Sequence, residues 1–205
     1  MKKLIVTGIA VAGLAVGAFG QGELQLQNES LTSSIDDGTA GTLYAFGSPL
    51  TIQVYYLGTG ADPAIWNGPG GSTTSASAAY AALTGLSGAK LEATQAGTVN
   101  SLAWGDGYFN FGVVNLNDAP APATAVTWTI GLVGFNGSDW AHSTKGGVVT
   151  FTMTGSTTAA IPVTMDGWDA LPVQHDLVMS PVPEPATFAL AGLGAAAMLI
   201  FRRRK

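Results

Sequence analysis

PLTIQVYYL, residues 49–57, sets Leu50, Ile52, Val54 and Tyr56 two apart. A period of two carries those four side chains to one side of an extended chain. The β-branched and aromatic content suits a pleated, half-buried surface, so the stretch predicts a strand. The alternation recurs on both sides of it. Leu24 and Leu26 in ELQLQ, then Phe109, Phe111 and Val113, then Val126, Trp128, Ile130 and Leu132, and finally Val149, Phe151 and Met153 each predict a strand with one buried face. Thr127 and Thr129, like Thr150, Thr152 and Thr154, fall opposite these apolar sets and are expected on the solvent side.

Glycine supplies the punctuation, in DDGTAG, WNGPGGS, GDG, FNGSD and STKGG, where tight turns are expected. Only SASAAYAALTGL, residues 75–86, has helical character, and with the low-complexity NGPGGSTTS before it reads as one insertion or crossover between two groups of strands. No repeat recurs at a fixed period, which argues against a solenoid or propeller. The expected fold is all-β, an antiparallel β-sandwich over residues 21–179 with jelly-roll topology among the arrangements the strand count allows. A chain of 205 residues accommodates one such domain with short appendages.

Charge narrows the function classes. The net value of −5 hides a segregation: Lys2 and Lys3 lie at one end, Arg202, Arg203, Arg204 and Lys205 at the other, and only Lys90 and Lys145 between. Twelve acids from Glu23 to Asp176 against those two lysines leave the body at −10. Nucleic-acid affinity comes largely from neutralising phosphates with Lys and Arg, so that class is excluded, and docking on an anionic lipid surface by charge is disfavoured. The absence of cysteine removes disulfides, thiolate metal sites and cysteine nucleophiles.

MKKLIVTGIAVAGLAVGAFG, residues 1–20, has the three parts of a secretory signal. Lys2 and Lys3 form the charged start, residues 4–16 the apolar stretch, and Ala18-Phe19-Gly20 a small-x-small site before Gln21. Removed by signal peptidase or retained as an anchor, it directs export.

The C-terminal segment, residues 180–205, reads SPVPEPATFALAGLGAAAMLIFRRRK. Residues 186–201 carry no charge, and sixteen residues in helical form span about 24 Å, short of the roughly 30 Å of a bilayer's hydrocarbon. Thinning of the bilayer and snorkelling of Arg202 close that gap at modest cost, and the cationic cluster sets that end on the cytoplasmic side. Pro183 and Pro185 each lack an N–H and push Val182 and Glu184 toward extended geometry. By itself this motif is equally a stiff linker before a membrane anchor. Val182-Pro183-Glu184-Pro185 followed by a short apolar run and a basic end resembles the PEP-CTERM sorting signal of exopolysaccharide-producing bacteria. The resemblance covers about the last 25 residues. It implies recognition by an exosortase, a membrane-embedded cysteine-dependent transpeptidase, and removal of the apolar run near the Pro-Glu-Pro site.

The body offers no catalytic signature. His142 in DWAHSTK and His175 in PVQHDL lack partners at metal-ligand spacing, and no Gly-x-Ser-x-Gly elbow occurs in it. Asp106, Asp139 and Asp166 stand beside Gly or Ser and Asp169 lies in the same DGWD stretch, where aspartate is a turn residue. DGWD is the best local calcium candidate, yet the alternating acids of an EF-hand are missing. No metal, cofactor or enzymatic activity is expected. Sequons stand at Asn28 and Asn136. Of five tryptophans, Trp128 alternates with core residues, whereas Trp66, Trp104, Trp140 and Trp168 lie in or beside glycine-rich turns. Such indoles either cap the ends of the sandwich or stack on sugar rings. The expected function is that of an exported cell-surface or extracellular-matrix protein, sorted by an exosortase, with a structural or adhesive body. The alternative is a carbohydrate-binding module that recognises exopolysaccharide through the loop tryptophans.

Overall fold

The computed structural model describes residues 21–29, 31, 33–38, 41–68, 73, 75–120, 125–155, 161–165, 168 and 176–182. The leader (1–20), Asp166, Asp169, His175, Pro183, Glu184, Pro185, the apolar run 186–201 and Arg202, Arg203, Arg204 and Lys205 all lie outside them. Five strands form the main sheet: β3 (Pro49–Tyr56), β4 (Lys90–Thr98), β6 (Thr127–Phe135), β7 (Lys145–Thr154) and β9 (Ser180–Pro181), in the order β4-β3-β6-β7-β9, all antiparallel. A second sheet pairs β1 (Gln21–Gln27) with β5 (Asn110–Pro120), also antiparallel. The fold is therefore mostly β and antiparallel, as the alternation predicts. One exception is the parallel pair β2 (Ile35–Asp36) and β8 (Leu177–Val178), which no local signal announces.

The alternating residues meet in one core. Leu50, Ile52, Val54 and Tyr56 of β3, Trp128, Ile130 and Leu132 of β6, and Val149, Phe151 and Met153 of β7 are buried together with Leu24 and Leu26 of β1. Strand β5 departs from expectation. Phe109 is buried and Phe111 packs against the core, but Val113 is half exposed, and Val114 and Leu116 turn inward instead. The cause is a bulge: between Gln25↔Val113 and Gln27↔Asn110, β5 spends one residue more than β1, and Gly112 sits there at φ +74°. A glycine tolerates that left-handed backbone, and one extra residue flips every later side chain to the other face.

The other face of the main sheet is covered as well. Helix α1 (Ala76–Thr84) begins at Ser75, whose hydroxyl accepts from the Ala78 N–H, and lays Ala79 and Leu83 on Tyr55, Val133, Phe135 and Val148. The insertion predicted from SASAAYAALTGL is thus a lid on the sheet. Coverage also corrects the threonine expectation. Thr127 and Thr154 are exposed and Thr152 is half-buried, but Thr129 and Thr150 are fully buried. The segment 57–67 runs over them: Thr129 donates to the Gly60 carbonyl (2.6 Å), and Thr150 donates to Asp62 (2.5 Å) and accepts from the Ile65 N–H (2.9 Å).

The register gives the molecule two poles. Thr98 pairs with Pro49, Thr51 with Phe135, Phe135 with Gly146 and Gly146 with Ser180, so loops 43–48, 99–109 and 136–144 share one pole with the end of β9. The opposite pole holds Lys90, Tyr56, Thr127, Thr154 and the Gln21↔Pro120 pair. The first described residue, Gln21, and the last, Val182, thereby stand at opposite poles.

Candidate functional site

Ser180–Pro181 adds a short edge to β7, pairing with Gly146 and Lys145. Val182 then donates its N–H to the Thr144 carbonyl (2.9 Å) and buries its side chain beside Gly146. No Cβ fits at Gly146 without meeting the Trp140 ring, and Trp140 itself stacks on Tyr80 of α1 (4.3 Å between ring centroids, 10° between planes) and meets Phe135 edge-on. The neighbouring polar groups are locked too. Asn136 accepts from the Thr144 and Lys145 N–H groups (both 3.0 Å), and Lys145 forms an ion pair with Asp37 while lying 5.9 Å over the Tyr44 ring. Val182, first residue of the expected sorting motif, is thus held by the body, and Pro183, Glu184 and Pro185 follow it directly in sequence.

The four loop tryptophans separate. Trp66 is buried and donates its indole N–H to the Asp176 carbonyl (3.1 Å); Trp168 is fully buried, stacked on Phe151 and tilted against Phe109. Neither presents a ring face to solvent. Trp140 is half-buried under Tyr80. Trp104 is 51 % exposed and leans on Tyr108 (5.6 Å between centroids). It belongs to a wider apolar patch: Leu43, Phe46, Leu102 and Trp104 are four of the seven exposed large hydrophobics among the described residues. Both loops that carry them lie on the Val182 pole. Backbone bonds weld them together, from Gly107 N–H to Tyr44 O (2.7 Å), Ile35 N–H to Gly107 O (3.0 Å) and Gly47 N–H to Val99 O (2.8 Å), with the Phe46 N–H donating to the Asp106 carboxylate (2.6 Å).

The titratable groups are occupied in holding loops. Asp139 caps the 3-10 turn Trp140–His142, accepts from the His142 N–H and contacts its ring (2.8 Å), and that hydrogen bond holds its carboxyl below the usual range. His142 is exposed, and Ser143 donates to the Asp139 carbonyl rather than to the ring. Asn28 is fully buried, donating to the Ser33 and Gly107 carbonyls and accepting from the Phe109 N–H, so its sequon is a structural amide. Two carboxyls missed in the sequence carry perturbed protons. Burial raises Asp36 despite the Gly41 N–H, with Asp176 nearby adding to the shift. Burial likewise raises Glu92, whose Oε2 accepts from the N–H groups of Asn117 (2.6 Å) and Asp118 (3.3 Å) and so joins β4 to β5. Among the described residues no group of three His, Asp or Glu could hold a metal, and no helix is long and apolar enough to cross a membrane.

Residues 181–205 match the model of the PEP-CTERM protein-sorting motif. The match starts inside β9 and takes in all of the C-terminal segment after Ser180. The chain therefore carries a PEP-CTERM sorting signal, which implies recognition by an exosortase and export for sorting. No curated protein and no solved structure matches the chain.

Proposed function

We propose that the chain is the precursor of a cell-surface or extracellular-matrix protein with a structural or adhesive body. Signal peptidase removes residues 1–20, the apolar run 186–201 holds the precursor in the membrane with Arg202, Arg203, Arg204 and Lys205 on the cytoplasmic side, and an exosortase cuts near Pro183-Glu184-Pro185. The observation that carries this is the sorting motif at 181–205, whose first residues, Pro181 and Val182, are docked on the body's edge. Two sheets that bury their facing side chains in one cluster support a β-sandwich architecture for the body, which needs no catalysis of its own for such a role. Asp106 and Asp139, engaged in loop hydrogen bonds, agree with this.

Intact mass of the protein from cells with and without an exosortase tests the proposal. Loss of both terminal segments is expected only where the exosortase is present, and a full-length tail persisting in exosortase-bearing cells overturns it. A carbohydrate-binding role has Trp104, exposed and tilted against Tyr108, as its best-exposed tryptophan among the described residues. Titration of the protein with exopolysaccharide, read by intrinsic fluorescence and compared with Trp104→Ala, decides that alternative.

A further inference from the structure

We propose that the pole bearing Leu43, Phe46, Leu102 and Trp104 rests on the lipid bilayer interface while the C-terminal segment is still attached. This rests on the membrane-inserted reading of residues 186–201 given above. Three observations converge on it. First, the exposed apolar side chains are concentrated rather than scattered: four of seven lie on two loops welded into one surface. Isolated exposed hydrophobics need no explanation, but a cluster containing Trp and Phe marks a contact. Second, the strand register puts that surface on the pole where the chain leaves the body, and the N-terminal Gln21 on the far pole. Third, the tether is short. Val182 is fixed by its N–H bond to Thr144 and by burial, and the apolar run starts at Ala186, four Cα steps later, at most about 14 Å away when fully extended. The interfacial zone alone is about 5–8 Å deep on each side of the hydrocarbon. A body held that close brings its pole to the headgroups, where Trp and Phe partition well.

Charge decides the kind of lipid. Asp106 and Asp139 are exposed at this pole, Glu29 is half-buried there, and Lys145 is tied to Asp37, leaving His142 as its remaining basic side chain among the described residues. Contact is therefore made by apolar burial. On zwitterionic lipid it is little affected by salt, whereas anionic headgroups weaken it and added salt relieves part of that loss.

The chain contains no cysteine, so single-cysteine labelling is unambiguous. The leader-processed precursor, residues 21–205, is placed in phosphatidylcholine nanodiscs with a polarity-sensitive fluorophore at Leu102→Cys, at the far-pole Ser87→Cys, or at Ala196→Cys in the apolar run. Shielding at residues 196 and 102 with water-like emission at residue 87 is the expected pattern. Adding Phe46→Ser and Trp104→Ser to the Leu102→Cys protein is expected to lower the docking equilibrium by on the order of tenfold or more. A label shielded at 196 but water-exposed at 102 overturns the docking proposal and leaves the membrane-inserted tail standing, all the more if emission at 102 shifts only when exopolysaccharide is added. Water-like emission at 196 removes the tether and overturns both.

Discussion

Trp128 owes its place at the start of β6 to two glycines. A Cβ on Gly22 of β1 or on Gly155 after β7 would overlap the indole from either side, so both positions are closed to any larger residue. Overpacking of this kind costs about 1–3 kcal/mol, because neither the ring nor the flanking backbone can yield. Gly155→Ala is expected to lower unfolding stability by that amount in urea titration, whereas Gly60→Ala, with nothing near its Cβ, is expected to be nearly neutral. Asp36 makes a different residue-scale case. Burial raises its folded carboxyl, so the native state binds the proton more tightly than the unfolded chain does. By linkage the native state then loses stability as pH rises from the ordinary value of 3.8 to the raised folded value, and the deficit stays constant above it. Asp36→Asn keeps an acceptor for the Gly41 N–H and removes the repulsion from Asp176. Its stability advantage over the wild type should be largest near neutrality, shrink as acidification passes through the raised folded value, and level off below the ordinary value of 3.8. A constant difference across that range overturns the assignment.

At the scale of the element, β4 and β5 belong to different sheets, yet a side chain joins them. Glu92 accepts two backbone N–H groups of β5, while Lys90 of β4 pairs with Asp118 (2.8 Å) alongside. The ion pair is exposed and worth little, so the junction depends on the carboxylate. Glu92→Ala should cost about 0.5–1.5 kcal/mol, because water can reach the freed N–H groups of the exposed Asn117 and Asp118, and should speed hydrogen exchange there before other β5 amides. Glu92→Gln keeps one acceptor and should recover most of the loss. What the sequence makes legible divides along the same line of locality. Alternation in β3, β6 and β7 is a property of neighbouring residues, and their buried sets fall where the period of two puts them. The inward turn of Val114 and Leu116 needs the bulge at Gly112, which depends on pairing with β1. Thr129 and Thr150 look like a solvent stripe because only the chain returning through residues 57–67 covers them. The sorting signal is legible because its features are contiguous. Which loop tryptophan stays exposed is not, since the burial of Trp66 and Trp168 is decided by Asp176, Phe109 and Phe151, far away in sequence.

For the whole molecule the governing quantity is charge. The body carries −10, and both of its lysines are committed to ion pairs, Lys90 with Asp118 and Lys145 with Asp37. Added salt acts on two opposed terms. It screens the mutual repulsion of the acids, which destabilises the compact state, and it weakens the two ion pairs, which support it. Exposed pairs contribute little, and these two are at least a third exposed on both sides, so repulsion should dominate. The Debye length shrinks from about 30 Å at 10 mM to about 8 Å at 150 mM, which confines the repulsion to near neighbours. Thermal unfolding of the processed protein should therefore move to higher temperature over that range, by roughly 2–4 °C if the net gain is near 1 kcal/mol. Calcium chloride at matched ionic strength should add nothing further if charge density alone is responsible. A midpoint that falls with sodium chloride assigns control to the lysine pairs, and Lys145→Met, which breaks the pair nearest the Val182 pole, should then reduce the fall.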